Sequence, residues 1–251
     1  MIQAVLFDMD NTLIDFMLMK RKSCEAAIEA MINAGLRMDR QKAMEILFGL
    51  YGEKGIEYNR IFQDFLRKTT GKIDYKILAE GIVAYRKAQA SYVKPYPGTI
   101  KTLVRLKEKG MKIGIVSDAP SLNAWIRLVE MRLDDFFDVV VTLQDTGKKK
   151  PSKSPFLKAI REIGIKPENV LFVGDWPERD IKGAKALGMK TAFAKYGSTK
   201  KARSTGADYV LGRIDDLLRF VWGMMTWNWK KPFATAAAYV RTSRSPWKKR
   251  K

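Results

Sequence analysis

The stretch AVLFDMDNTLID, residues 4–15, constrains this chain most, because an apolar run stops abruptly on two aspartates, Asp8 and Asp10, one residue apart. Four apolar residues followed at once by polar ones predict a strand buried in a parallel sheet and emptying into a loop. In open α/β sheets ligands bind beyond the carboxyl ends of the strands, so this loop is where a site is expected. Two carboxyls that share a small volume in unequal surroundings can divide the work, one ionised as a nucleophile and the other carrying a proton. A pair of acids at this spacing also arises from strand ends and turn caps alone, so the rest of the chain decides between the readings.

The next 75 or so residues carry a helical period throughout. Residues 20–34 place Cys24, Ala27, Ile28, Met31 and Ile32 on one face and close at Gly35. A second segment starts at Asp39, with Ala43, Ile46, Leu47 and Leu50 in phase. A third spans 56–66 through Ile61, Phe62 and Phe65, and a fourth spans 72–92 through Ile77, Leu78, Ile82 and Tyr85. Four helices joined by short links predict a small antiparallel bundle whose apolar stripes form its own core. Pro95-Tyr96-Pro97-Gly98 then breaks the pattern.

Beyond that break, strand and helix alternate. Helices are predicted over 99–110, 121–132, 156–164 and 181–188, and strands over 112–116, 138–142, 170–173, 190–194 and 209–211. Repeated units of this kind imply a doubly wound parallel sheet, an α/β fold, with the bundle inserted after its first strand. The expected division is 1–15 with 91–222 as the α/β core, 16–90 as a four-helix cap, and 223–251 as a tail.

Composition removes several chemistries. The 251 residues contain no histidine, which excludes Ser–His–Asp triads, Cys–His pairs and histidine–zinc sites; a general acid or base must be Asp, Glu, Lys, Tyr or Cys. The one cysteine, Cys24, allows no intrachain disulfide and reads as an apolar filler on its helix. No run reaches the roughly 18 apolar residues of a membrane span, and the first residues show no secretory pattern, so a cytoplasmic location is expected.

Polar residues follow four of the predicted strands in a fixed order: Asp8 and Asp10, then Ser117, then Lys150, then Asp175 and Asp180. Parallel strands bring these ends to one edge of the sheet. A hydroxyl, a cation and two pairs of acids there suit phosphoryl transfer through an acyl-phosphate. The motifs DMDNT at 8–12, Ser117, Lys150-Pro151 and GDWPERD at 174–180 resemble, together and in order, those of the haloacid dehalogenase-like (HAD) superfamily. The inserted helices are similar to the cap of its phosphoglycolate-phosphatase-like branch.

That resemblance implies a role for each residue. Asp8 would attack phosphorus, and Asp10 would protonate the leaving oxygen and then activate water. Mg²⁺ would be held by Asp8, the Asp10 backbone carbonyl and Asp175, with Asp180 assisting. Ser117 and Lys150 would hold phosphoryl oxygens, helped by Thr12 and the Met9 amide. An intact DxD favours ester hydrolysis over dehalogenation. The expected activity is therefore a Mg²⁺-dependent phosphatase for a small phosphorylated metabolite of the sugar-phosphate, triose-phosphate or phosphoglycolate class. A phosphomutase of the same fold is the alternative reaction. Arg21, Arg60 and Asn123 are candidate specificity residues.

The net charge of +20 is uneven: no acid follows Asp216, whereas Lys230, Lys231, Arg241, Arg244 and 248–251 are basic. Leu217, Leu218 and Val221 would finish the core, with Trp222, Trp227 and Trp229 docking on it or on a second subunit. The charge also suits anionic lipid or nucleic acid, which makes a basic binding protein acting through its tail the other reading.

Overall fold

The computed structural model describes residues 1–199 and 204–222. The tail, 223–251, expected to meet lipid, nucleic acid or another subunit, lies outside the described residues.

The six apolar runs form six strands: β1 (Ala4–Phe7), β2 (Lys112–Val116), β3 (Val139–Val141), β4 (Val170–Gly174), β5 (Lys190–Ala194) and β6 (Tyr209–Leu211). All pairs are parallel, in the order β3-β2-β1-β4-β5-β6. The order reverses beside β1, which is the topological switch point where such sheets open a crevice. Register puts Phe7 level with Ile115 on one side and Val173 on the other. The backbone continues the ladder one step further, Asp8 N–H donating to the Val173 carbonyl and Ser117 N–H to the Val141 carbonyl, both at 2.8 Å. The polar residues after these strands are therefore brought level by backbone pairing.

Side chains alternate across a strand. Ala4, Leu6, Val116 and Phe172 share one buried cluster with Phe156, Ala159 and Ala184, while Val5, Phe7, Ile113 and Ile115 are buried as well. Both faces are covered, as uninterrupted apolar strands require.

The helices in chain order are α1 (Phe16–Asn33), α2 (Arg40–Lys54), α3 (Ile61–Thr70), α4 (Tyr75–Tyr92), α5 (Thr99–Glu108), α6 (Ser121–Glu130), α7 (Leu143–Thr146), α8 (Lys153–Ile163), α9 (Lys182–Lys185) and α10 (Leu217–Trp222). The chain divides into two compact units, one of residues 1–15 and 94–251, the other Phe16–Val93. The helical unit runs three residues past the expected 90 because α4 continues to Tyr92 and Val93 is buried.

The helical unit has its own core of Ala27, Ile28, Met31, Leu47, Phe65, Leu66 and Leu78, with Cys24 buried among them. Burial pushes the Cys24 thiol up to about 11, consistent with an inert filler. Asp39 and Asp74 cap α2 and α4: their carboxylates accept from Lys42 N–H and from Lys76 N–H, each at 2.9 Å. The third helix begins five residues later than its pattern suggested. Gly55, at φ 93°, ends α2, and Tyr58 N–H turns back to the Gly55 carbonyl before α3 can start.

Two further differences lie near the sheet edge. Thr142 and Asp145 cap each other reciprocally and close the single turn α7, which apolar periodicity cannot reveal. The expected helix 181–188 is shorter, the four residues of α9, and a wide turn of π geometry, Pro177–Ile181, runs into it.

Candidate active site

β1 ends at Phe7, and Asp8 is the first residue beyond it. Its carboxylate is buried and fully engaged: Oδ1 lies 2.6 Å from Lys150 Nζ, and Oδ2 accepts from the Thr12 hydroxyl at 3.2 Å. The same ammonium stands 2.7 Å from Asp180 Oδ1. Lys150, itself buried, thus bridges the end of β1 and the turn after β4. Its backbone N–H donates to Asp118 Oδ1 at 2.9 Å, tying the loop after α7 to the end of β2. Lys150 was expected to hold phosphoryl oxygens; here its ammonium rests on two carboxylates.

Asp175 and Asp180 come from GDWPERD. The wide turn lets Asp180 fold back so that Oδ2 accepts from Trp176 N–H at 3.0 Å. Gly174 is required at the end of β4, since a Cβ there would run into the Asp180 carboxylate. Ligand oxygens of Asp8, Asp175 and Asp180 lie within 4.8 Å of one another, and all three residues are buried.

The electrostatics follow from that crowding. Burial pushes the Asp8 carboxyl well above the usual carboxylate range; Lys150 opposes the rise, and Asp180, Asp175 and Asp10 add to it. Asp175 is raised to about 7 by burial and then by Asp180, against the pull of Lys150. For Lys150 burial works against the charge, yet Asp180 and Asp8 hold its pKa above the ordinary lysine value. One ammonium among three buried carboxylates leaves excess negative charge. Hard oxygen donors with unbalanced charge are the donor set a divalent cation of the Mg²⁺ type fits.

The Thr12 hydroxyl, expected to help close the loop on phosphate, donates to Asp8 at the centre of the site. Met9 is buried, and its carbonyl accepts from the N–H groups of Thr12, Leu13 and Ile14, which winds the loop tightly. The loop is also clamped from the turn that follows β5. Tyr196 OH donates to the Thr12 carbonyl at 2.7 Å, and Gly197 sits so close to the Asn11 carbonyl that a Cβ could not fit. Ser117 is buried at the end of β2, where its Oγ accepts from Ala119 N–H at 3.1 Å. Asp118 pairs with Arg179 at 3.4 Å, and that guanidinium stacks on Trp176 at 3.8 Å.

Asp10 lies outside the three-carboxylate cluster. Its side chain meets Arg127, whose Nη1 donates to Oδ1 at 3.0 Å and to Oδ2 at 2.9 Å. Arg127 was missed from the sequence, although a signal existed. It is a charged residue on the buried stripe of α6, between Ala124 and Leu128. Asn123 is half-buried on α6. Arg21 is exposed on α1, and Arg60 is exposed at the N-cap of α3.

The haloacid dehalogenase-like hydrolase family matches residues 5–194. The chain belongs to this family. It is 35% identical over 222 residues to the glyceraldehyde 3-phosphate phosphatase of Methanocaldococcus jannaschii, covering 88% of this chain and 97% of that one. It is 36% identical to the enzyme of the same name from Pyrococcus furiosus, covering 86% and 92%. The phosphoglycolate phosphatase of Aquifex aeolicus is 31% identical, covering 87% and 96%. Among solved structures, a HAD phosphatase from Thermococcus onnurineus superposes with a TM-score of 0.63 at 27% identity, covering 88% and 99%. The HAD hydrolase YfnB of Bacillus subtilis, solved bound to magnesium, has a TM-score of 0.67 at 22% identity, covering 88% and 99%. The chain is an enzyme, a HAD hydrolase of the phosphatase kind.

Proposed function

We propose that the chain hydrolyses a small phosphorylated metabolite of the triose-phosphate class with Mg²⁺, through a phosphoryl group carried transiently on Asp8. The observation that carries this reading is the Lys150 ammonium bound to both Asp8 and Asp180 among three buried carboxylates. The names of the archaeal relatives support the substrate class.

Asp8 provides the attacking oxygen. As its bond to phosphorus forms, the bond from phosphorus to the leaving oxygen breaks, and that oxygen takes a proton from Asp10. Asp10 then accepts a proton from water as the water oxygen attacks phosphorus, releasing inorganic phosphate and restoring Asp8. Lys150 orients Asp8 and favours its ionised form against the effect of burial, and Ser117 presents a hydroxyl to the phosphoryl oxygens from the neighbouring strand end. Asp8, Asp175, Asp180 and the Asp10 carbonyl would hold Mg²⁺, which when bound neutralises phosphoryl charge that would repel a carboxylate nucleophile.

The test is phosphate release from a panel of small phosphate esters, with Mg²⁺ or with EDTA, by the wild type and by Asp8→Asn. Turnover that needs Mg²⁺, is lost in Asp8→Asn and is fastest on a triose phosphate is expected. Turnover that survives Asp8→Asn overturns the assignment of the nucleophile.

A further inference from the structure

Asp10 must do more than sit near the leaving group, because it has to present one oxygen as a proton donor and later as an acceptor. Its backbone is already fixed. Asp10 bridges to Ile14, Asn11 N–H donates to the Ile14 carbonyl at 2.7 Å, and Asn11 takes a positive φ of 60° to make the turn. The freedom left to Asp10 is rotation of its side chain, and Arg127 acts on that. A single guanidinium nitrogen, Nη1, stands almost equally far from both carboxylate oxygens. Contact to both oxygens pins the plane of the carboxylate, which contact to one would not do.

The arginine is itself held from behind. It is 3% exposed, and α6 is fastened at its start. Ser121 Oγ is 2.6 Å from Thr142 Oγ1, and Ser121 N–H donates to Gln144 Oε1 at 2.6 Å. The Asp10 side chain, in contrast, is 22% exposed. A buried cation on a fixed helix grips an acid that remains reachable. A surface ion pair would have both partners in solvent and little directional hold.

We propose that Arg127 is the positioning residue for Asp10, fixing which carboxyl oxygen faces the leaving group and so governing how well the enzyme cleaves esters of poor leaving groups. The proposal rests on the acid–base role given to Asp10 above. When the proton occupies the oxygen turned to the ester, the other oxygen stays within reach of Nη1. Proton transfer then breaks the O–H bond of Asp10 and forms one on the leaving alcohol, with Arg127 bound to the carboxylate that results. An alkyl phosphate depends on that proton, because an alkoxide leaves poorly. p-Nitrophenyl phosphate does not, because its phenolate leaves unaided.

The test compares kcat/KM, which spans only the steps up to transfer of phosphoryl to Asp8, on glycerol phosphate and on p-nitrophenyl phosphate with Mg²⁺ present. Arg127→Met is expected to lose about 10- to 100-fold on the alkyl ester and less than about threefold on the aryl ester, a fraction of the usual yield of general acid catalysis. Arg127→Lys, which keeps the charge but replaces the planar, rigid guanidinium with a shorter ammonium on a flexible stem, should fall between. Equal losses on the two esters would mean that Arg127 supports the fold or binds phosphate, and overturn the proposal; so would no loss on either. If circular dichroism finds Arg127→Met unfolded, Arg127→Lys decides by the same ratio. A wild type inactive on both esters overturns the phosphatase reading and this one with it. Wild-type turnover that Asp8→Asn abolishes, beside equal losses in the Arg127 variants, overturns the Arg127 assignment alone.

Discussion

Of the charged residues buried among the described residues, Asp8, Arg127, Lys150, Asp175 and Asp180 belong to the α/β unit, whereas Lys20 alone belongs to the helical unit. The five lie in contact with acids of opposite or like sign, and three of them crowd within 4.8 Å. Lys20 lies over the rings of Tyr51 at 4.3 Å and Tyr85 at 5.4 Å, a cation on aromatic faces. Helices satisfy their own backbone and are joined by packing of side chains. Strand ends leave loops whose side chains meet across the sheet, and there charge can be concentrated against its own repulsion. The helical unit is thus built mainly for packing, and the α/β unit also holds electrostatic strain.

Breaking the charged region has the largest effect on chemistry. Asp8→Asn should cut turnover on the order of 10³-fold or more, as loss of a nucleophile does, while removing one of the repelling carboxylates. Steady-state phosphate release measures the first effect, and thermal melting in EDTA should find the variant no less stable than the wild type. The packed region should behave the other way. Phe65, fully buried in the helical unit, should cost about 3–5 kcal/mol when changed to alanine. Denaturant unfolding followed by circular dichroism would detect the loss, and a loss below about 1 kcal/mol would show that this core is not a tight one.

The third prediction concerns pH. Asp175 is raised to about 7 by burial and by Asp180, so the folded chain prefers it protonated. Its stabilising share is fully present below the ordinary aspartate pKa and is lost as pH rises through about 7. In EDTA the protein should therefore melt at a lower temperature at pH 8 than at pH 5.5, and Asp175→Asn should flatten that slope. Mg²⁺ favours the ionised cluster, so adding it should raise the melting temperature most at pH 8. Melting that is indifferent to Mg²⁺ at pH 8 would argue against a metal among these carboxylates.

The smallest effect is expected at Arg60, exposed in the helical unit. Arg60→Ala should change stability by no more than about 0.5 kcal/mol. If the residue contributes to substrate choice, KM for the preferred ester should rise while KM for p-nitrophenyl phosphate stays put. Parallel rises on both would remove it from the specificity set.

Much of the charged region was legible because its residues follow apolar runs directly. Asp8, Ser117 and Asp175 lie within one or two residues of a strand's last member, so finding the strand finds the residue. Asp180 was legible from its motif, although the fold-back that brings it to Lys150 needed the wide turn and Gly174. Arg127 was harder, since it reaches Asp10 from a sequence distance of 117 residues and sits mid-helix among apolar neighbours. Local periodicity assigns such a residue to an amphipathic face without saying what it meets. The late start of α3 has the same origin: Ile56 fits the helical phase, and only the φ of Gly55 removes it from the helix.

The central place of β1 has a consequence for how the chain is made. It leaves the ribosome well before its partners, the strands that begin at Lys112 and Val170. Between them emerges the whole helical unit, which has its own buried core and can pack as soon as its last helix, α4, has been made. β1 must therefore wait, apolar and unpaired, until the helical unit has been made and β2 follows it, and it gains its second neighbour only with β4. The three-carboxylate cluster around Asp8 forms only when β4 arrives and carries Asp175 and Asp180 with it. The candidate site is thus assembled late, and activity regained during refolding should lag behind the return of helical signal.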